Sequence, residues 1–236
     1  MVFRHAVVEV CGDATLDDLE DQVLREEACR SPLIVVGVGD CMPGRPVICI
    51  SGFAATGKST VAKRIAKRLG FCYVSGGDAL KALAVEMGYR PGGRSWWESK
   101  EGLRFLSLRK KDLSFDRKVD EKLLEIAERG NVVVDSWVLP WMLGDRSLNI
   151  WMSASVDARA ERMGRRAGIS ITRAKRILLK RDSESKRIYR RLYGVRLGEN
   201  FSPFHLIIDT TYLTATQVYE MILSFVDIYL KSRSPR

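Results

Sequence analysis

From residue 46 onward, short apolar runs alternate with longer segments in which apolar residues return every three or four positions. Residues 47–50, 71–74, 131–134, 148–152 and 206–208 are runs of the first kind, and each predicts a short strand. Between them, residues 59–69 place Val61, Ile65 and Leu69 on one stripe of a helix. Similar spacing predicts helices over 79–87, 97–106, 116–128, 156–166, 171–192 and 215–230. Residues 88–95 interrupt the pattern with Pro91 and three glycines. Strands that alternate with helices predict an α/β fold, a parallel sheet covered by helices on both faces. The first 45 residues follow a different pattern. They read as a strand over 6–10, an acidic helix over 15–28 capped near Asp13 or Thr15, a strand over 33–38, and a Gly/Pro-rich break over 39–45. The expected organisation is therefore a short N-terminal extension, 1–45, and one domain, 46–236. Met42, just ahead of that domain, offers an alternative start.

Composition adds exclusions. With 46% hydrophobic and 29% charged residues, the 236-residue chain has enough apolar side chain to bury a core, which excludes a disordered protein. The longest apolar runs fall far short of the ~20 residues that span a bilayer, and no secretory signal is visible at the N-terminus. Five cysteines without a C-x-x-C pair and only two histidines argue against a metal cluster, a zinc site or a His-based triad. A reducing, cytoplasmic setting is expected.

Charge changes the picture more. The chain carries 39 Lys and Arg against 29 Asp and Glu, a net of +10. Residues 1–45 are acidic, net −5, whereas residues 151–200 alone reach +9. Such a basic excess attracts polyanions: nucleic acid, a membrane surface or nucleotide phosphates.

The motif after the first strand of the domain narrows that choice. Gly52-Phe53-Ala54-Ala55-Thr56-Gly57-Lys58-Ser59-Thr60 is G-x-x-x-x-G-K-S between a strand and a helix. The two glycines let successive backbone N–H groups turn toward one phosphate chain, and the following helix adds its positive N-terminal end. Lys58 is expected to reach the β- and γ-phosphates of ATP, and Ser59 to ligate Mg²⁺. No Asn-Lys-x-Asp motif marks a GTPase, and the chain is short for a motor ATPase. Phosphoryl transfer to a small acceptor is the leading class.

Ordered matches around this loop resemble the archaeal-type cytidylate kinases, within the wider nucleoside monophosphate kinase group. They are Tyr73-Val74-Ser75-Gly76-Gly77-Asp78-Ala79-Leu80-Lys81, Asp116-Arg117-Lys118-Val119-Asp120 and the stretch from Asn131 to Met142. Residues 149–151, 165–170, 189–194 and 206–210 continue the order. The resemblance implies a three-layer P-loop kinase fold with a five-stranded parallel sheet and a helical lid at about 160–195. It implies ATP as donor, Mg²⁺ as cofactor, CMP or dCMP as acceptor, and a monomer without nucleic-acid or membrane partners. Three positions depart from the family pattern: Trp137, Lys81 and Ile188 stand where relatives often carry Arg, with Arg187 a possible substitute for the last. A kinase for AMP, UMP or a non-nucleotide acceptor is one alternative. An RNA-associated P-loop NTPase using the +9 segment is another.

The candidate roles follow. Lys58, Arg162, Arg166 and Arg181 are the expected catalytic cations, with Gly52 to Thr60 as the ATP loop. Arg159, Arg162 and Arg166 form one helical stripe, and Arg173, Arg176 and Lys180 repeat its spacing; a basic lid or a solvated face both fit. Ser75, Asp78, Lys81, Asp120, Trp137 and Arg187 are the acceptor-side candidates, Ser75 and Asp78 equally readable as helix caps. Asp116 and Asp120 share a helix face, where Arg117 or Lys118 would partner them or a nucleotide would. Asp135, at the end of the third strand, reads as the holder of a Mg²⁺-bound water or as a turn residue. Trp96 and Trp97 either pack or stack on a base, and Trp141 reads as core or pocket wall.

Overall fold

The computed structural model describes residues 46–93 and 95–233, together with the backbone of residues 7–8 and 35–36. Two two-residue strands, Val7–Val8 (β1) and Val35–Val36 (β2), precede five longer ones. These are Val47–Ser51 (β3), Cys72–Ser75 (β4), Val132–Asp135 (β5), Leu148–Ser153 (β6) and Leu206–Asp209 (β7). The sheet order is β1-β2-β4-β5-β3-β6-β7. The five longer strands are mutually parallel, as the alternating pattern predicts. The short edge adds one antiparallel pairing, Val36 with Tyr73. The predicted N-terminal strands contain β1 and β2. The predicted acidic helix and Cys11, Cys29 and Cys41 lie outside the described residues.

Helices fill the crossovers: Lys58–Leu69 (α1), Gly76–Glu86 (α2), Lys100–Arg109 (α3), Ser114–Ala127 (α4), Leu139–Leu143 (α5), Val156–Ala167 (α6), Ile171–Tyr193 (α7) and Ala215–Arg233 (α8). Five-residue α5, with Pro140 near its start, is too short to show periodicity and was not predicted. The central strand explains the three layers. Val47 and Cys49 of β3 enter one core with Leu80, Phe105, Leu123 and Trp96. Ile48 and Ile50, on the opposite pleat, enter another with Val61 and Ile65 of α1 and Val218, Ile222 and Val226 of α8. Both faces of β3 are therefore dry, so its first four residues, Val47 to Ile50, are continuously apolar instead of alternating. Full burial of a side chain such as Ile65 contributes about 1.5–3 kcal/mol.

The helix predicted from residue 97 begins at Lys100 instead. Ser99 sets that boundary: its hydroxyl donates to the Trp96 carbonyl at 2.7 Å and accepts from the Gly102 N–H at 3.1 Å. Residues Trp96–Glu98 form a 3₁₀ turn ahead of it, and Trp96 is buried against Tyr89 and Phe105. The α6–α7 hairpin covers residues 156–193, the stretch in which a lid is expected. Gly168 ends α6 in the left-handed conformation, and Ser170 caps α7 by accepting from the Arg173 N–H. Ala160, Met163, Ala174, Ile177 and Leu178 pack between these helices and against Ala54. Among the described residues, no helix is long and apolar enough to cross a membrane.

Candidate functional site

Central strand β3 runs into the glycine-rich loop at the carboxyl ends of the sheet. Gly52 adopts φ +141°, and a Cβ there would lie 2.1 Å from the Met152 carbonyl oxygen, so only glycine fits between loop and β6. Gly57, at φ +101°, turns the chain into α1. Lys58 is buried, and its Nζ donates to the Phe53 carbonyl at 3.0 Å. The same carbonyl accepts from the Thr56 hydroxyl at 3.0 Å.

Parallel pairing of β3 with β5 sets Ile50 opposite Asp135. That register places the Asp135 carboxylate where the Ser59 hydroxyl donates to it at 2.6 Å, with Lys58 Nζ 4.0 Å away. Burial pushes the Asp135 carboxyl up, opposed by the Lys58 charge and the Ser59 hydrogen bond. Burial pushes the Lys58 ammonium down, opposed by Asp135. A hydroxyl and a carboxylate side by side are hard oxygen donors, a set that suits Mg²⁺ directly or through water.

The lid arginines separate into two pairs. Arg159, buried in α6, donates to the Ala54 carbonyl at 3.3 Å and to Asp182 of α7 at 2.7 Å. Arg162 donates to the Thr56 carbonyl at 3.4 Å and to the Thr210 hydroxyl at 3.1 Å. This first pair therefore grips the backbone of the phosphate loop. Arg166 and Arg181 turn elsewhere: both donate to one oxygen of Glu98, at 3.0 and 3.1 Å.

On the opposite flank, Ser75 ends β4 beside Asp135 and caps α2, accepting from the Asp78 N–H at 3.3 Å. Asp78 pairs with Lys81 at 3.7 Å. Asp116 and Asp120 do not lie on a solvated face with Arg117 or Lys118. Both are buried, and Asp116 is held by the Arg109 guanidinium through two hydrogen bonds. Asp120 keeps one oxygen without a partner; burial and the Asp116 charge push its carboxyl well up. Trp137 packs edge-on to Phe53, at 6.1 Å between ring centres, and beside Tyr189 of α7 at 6.2 Å. Arg187 stands apart from this group. It is exposed, bonded to Ser183, and lines a cavity of about 450 Å³ with Phe53, Lys186, Arg190 and Arg196. The neighbouring Ile188 is buried, so the two positions face apart.

Sequence reasoning passed over Glu98, Asp182 and Thr210. Arg159 was legible only as a member of a helical stripe, and nothing local marks Glu98 as the residue its two arginines meet.

The profile of the cytidylate kinase-like family matches residues 47–212. The chain belongs to that family. The match begins with the first residue of β3 and ends just beyond β7, so it takes in the phosphate loop, Asp135 and the whole α6–α7 hairpin. The cytidylate kinase of Pyrococcus horikoshii is 30% identical over 181 residues, covering 77% of this chain and 88% of that one. The cytidylate kinase of Ignicoccus hospitalis is 34% identical over 177 residues, covering 75% and 96%. An uncharacterized protein from Eubacterium ventriosum, known from its crystal structure, shares the fold with a TM-score of 0.52 at 16% identity, over 78% of this chain and 99% of that one.

Proposed function

We propose that this nucleotide kinase transfers the γ-phosphoryl group of ATP to CMP or dCMP, yielding ADP and CDP or dCDP. The observation that carries the reading is the convergence of Lys58, Ser59 and Asp135 at the mouth of a glycine loop in a cytidylate kinase-like chain. An acceptor phosphate oxygen forms the new bond to the γ-phosphorus while the bond to the β,γ-bridging oxygen breaks, and ADP takes the electron pair. The acceptor is already anionic near neutral pH, so no strong general base is needed. The loop N–H groups and Lys58 hold the triphosphate, Lys58 leaving the Phe53 carbonyl to do so. Ser59 and Asp135 are the residues that would hold Mg²⁺, Asp135 through water. Bound there, the ion supplies neutralisation of charge on the β- and γ-phosphate oxygens. Arg162, Arg166 and Arg181 complete the cationic surround from the lid. Ser75, Asp78, Lys81, Asp120 and Trp137 border the acceptor, whereas Arg187, exposed on the outer face of α7, stands apart from them. Residues 46–236 form the catalytic unit, working in the cytoplasm as a monomer on free nucleotides.

The test is ADP release, coupled to a spectrophotometric readout, across a panel of nucleoside monophosphates and small non-nucleotide acceptors. Selective stimulation by CMP and dCMP supports the reading, and selective stimulation by AMP, UMP or another acceptor reassigns the substrate. Hydrolysis of ATP indifferent to every acceptor, with salt-sensitive RNA binding, overturns it. Lys58→Ala is expected to lose turnover by ~100-fold or more with an unchanged circular dichroism spectrum.

A further inference from the structure

Glu98 is nearly inaccessible, 3% exposed, yet it belongs to a short 3₁₀ turn outside the sheet. Its Oε1 accepts from Arg166 of α6 and from Arg181 of α7, while Oε2 is buried with no partner. Two guanidiniums that would otherwise repel each other are thereby held on one carboxylate oxygen. The three residues come from separate parts of the fold: the arginines from the two arms of the lid, the carboxylate from the segment between α2 and α3.

The turn that carries Glu98 is firmly mounted. Trp96 is buried against Phe105 and Tyr89, and Ser99 ties the turn to the first turn of α3. Gly102 lets that helix lie against the turn, because a Cβ there would stand 2.0 Å from the Trp96 carbonyl oxygen. Arg181 in turn lies over the Trp97 ring, 5.8 Å from its centre. Only one of its terminal nitrogens is engaged by Glu98, which leaves the rest of the fork for another anion. Its chain neighbour Asp182 accepts from Arg159, which in turn reaches the Ala54 carbonyl of the phosphate loop, so α7 passes beside that loop at this point.

We propose that Glu98 is the positioning residue for the arginines of α6 and α7, holding Arg166 and Arg181 together so that the free part of the Arg181 fork is presented to the transferring phosphoryl group. This rests on the kinase reading above. Glu98 touches no substrate; it acts through the two guanidiniums it holds.

The test compares Glu98→Gln and Glu98→Asp with the wild-type chain. Glu98→Gln is expected to lower kcat ~10–100-fold, the range for a misplaced catalytic group, while KM for ATP stays within about threefold. Glu98→Asp, which keeps the charge, is expected to recover part of kcat. A second readout is hydrogen–deuterium exchange over residues 156–193, expected to quicken in Glu98→Gln while exchange in the central strands is unchanged. A third is the double variant Glu98→Gln/Arg166→Met. If Glu98 balances the two arginines, adding Arg166→Met to Glu98→Gln costs much less than Arg166→Met alone. Wild-type kcat and unchanged lid exchange in Glu98→Gln overturn the inference, as does a rise in kcat, which would make Glu98 a brake. A uniform loss of kcat with quicker exchange throughout the chain overturns it too, as a fold defect. If the wild-type chain phosphorylates no acceptor, the kinase reading fails, and the exchange measurement still decides whether Glu98 holds the lid.

Discussion

At position 120 a carboxylate lies buried on α4, two per cent exposed, with one oxygen lacking any partner and Asp116 nearby. Its folded pKa lies well above the ordinary 3.8, because burial and the neighbouring charge disfavour ionisation. The folded chain therefore holds this proton more tightly than the unfolded chain does. Stability from this group is fullest below about pH 4 and is lost as pH rises through the raised value. Asp120→Asn is expected to stabilise the fold near pH 7, with the gain vanishing below pH 4. Melting curves at the two pH values check this. The same variant is expected to raise KM for the monophosphate, and an unchanged KM would remove Asp120 from the acceptor site. Asp135 is also buried and also shifted upward, but Ser59 and Lys58 stand against it. The contrast between the two aspartates is a matter of neighbours that neither residue's own surroundings in the sequence reveal.

Among the elements, the 3₁₀ turn and α3 form the least legible unit. The apolar spacing predicted a helix from residue 97, yet the Ser99 cap starts it at Lys100 and leaves Trp96–Glu98 as a separate turn. Two tryptophans suit a helix face, a loop packed into the core or a base-stacking platform, and burial against Phe105 decides for packing of Trp96. Gly102→Ala tests the mounting of this turn. Its new Cβ cannot coexist with the Trp96 carbonyl 2.0 Å away, so the turn must shift and carry Glu98 with it. The expected cost is ~1–3 kcal/mol of stability, read as a lowered melting temperature, together with a fall in kcat. Unchanged turnover at a lowered melting temperature would separate the turn's structural part from its effect on the lid. The longer helices were legible within a few residues, since α1, α4, α6 and α7 each bury one periodic face.

For the whole molecule, Lys58, Ser59, Ser75 and Asp135 gather at the carboxyl ends of β3, β4 and β5, with the candidate arginines supplied by the α6–α7 hairpin. Among the described residues, β1 and β2 join the sheet at its far edge, through residues 7–8, 35–36 and Tyr73. A chain beginning at residue 46 is therefore expected to fold and keep near wild-type turnover, with a modest loss of stability from uncovering the edge of β4. Activity assays and thermal melts of the shortened chain check this, and loss of turnover would assign the first 45 residues to the catalytic unit. The sequence by itself determined the strand–helix alternation, the dry central strands and the phosphate loop. Each is written in local periodicity or in backbone angles that only particular residues adopt. It also pointed to Asp135, because the parallel order sets the end of β5 beside the loop. The meeting of Arg166 and Arg181 on Glu98, 68 and 83 positions away from them, exists in the folded chain alone. The tertiary structure likewise decided that Asp116 belongs to Arg109 and that Arg159 and Arg162 grip the loop backbone. Such pairings depend on how whole elements cross, and that is set by packing spread over many side chains, none of which carries the answer alone.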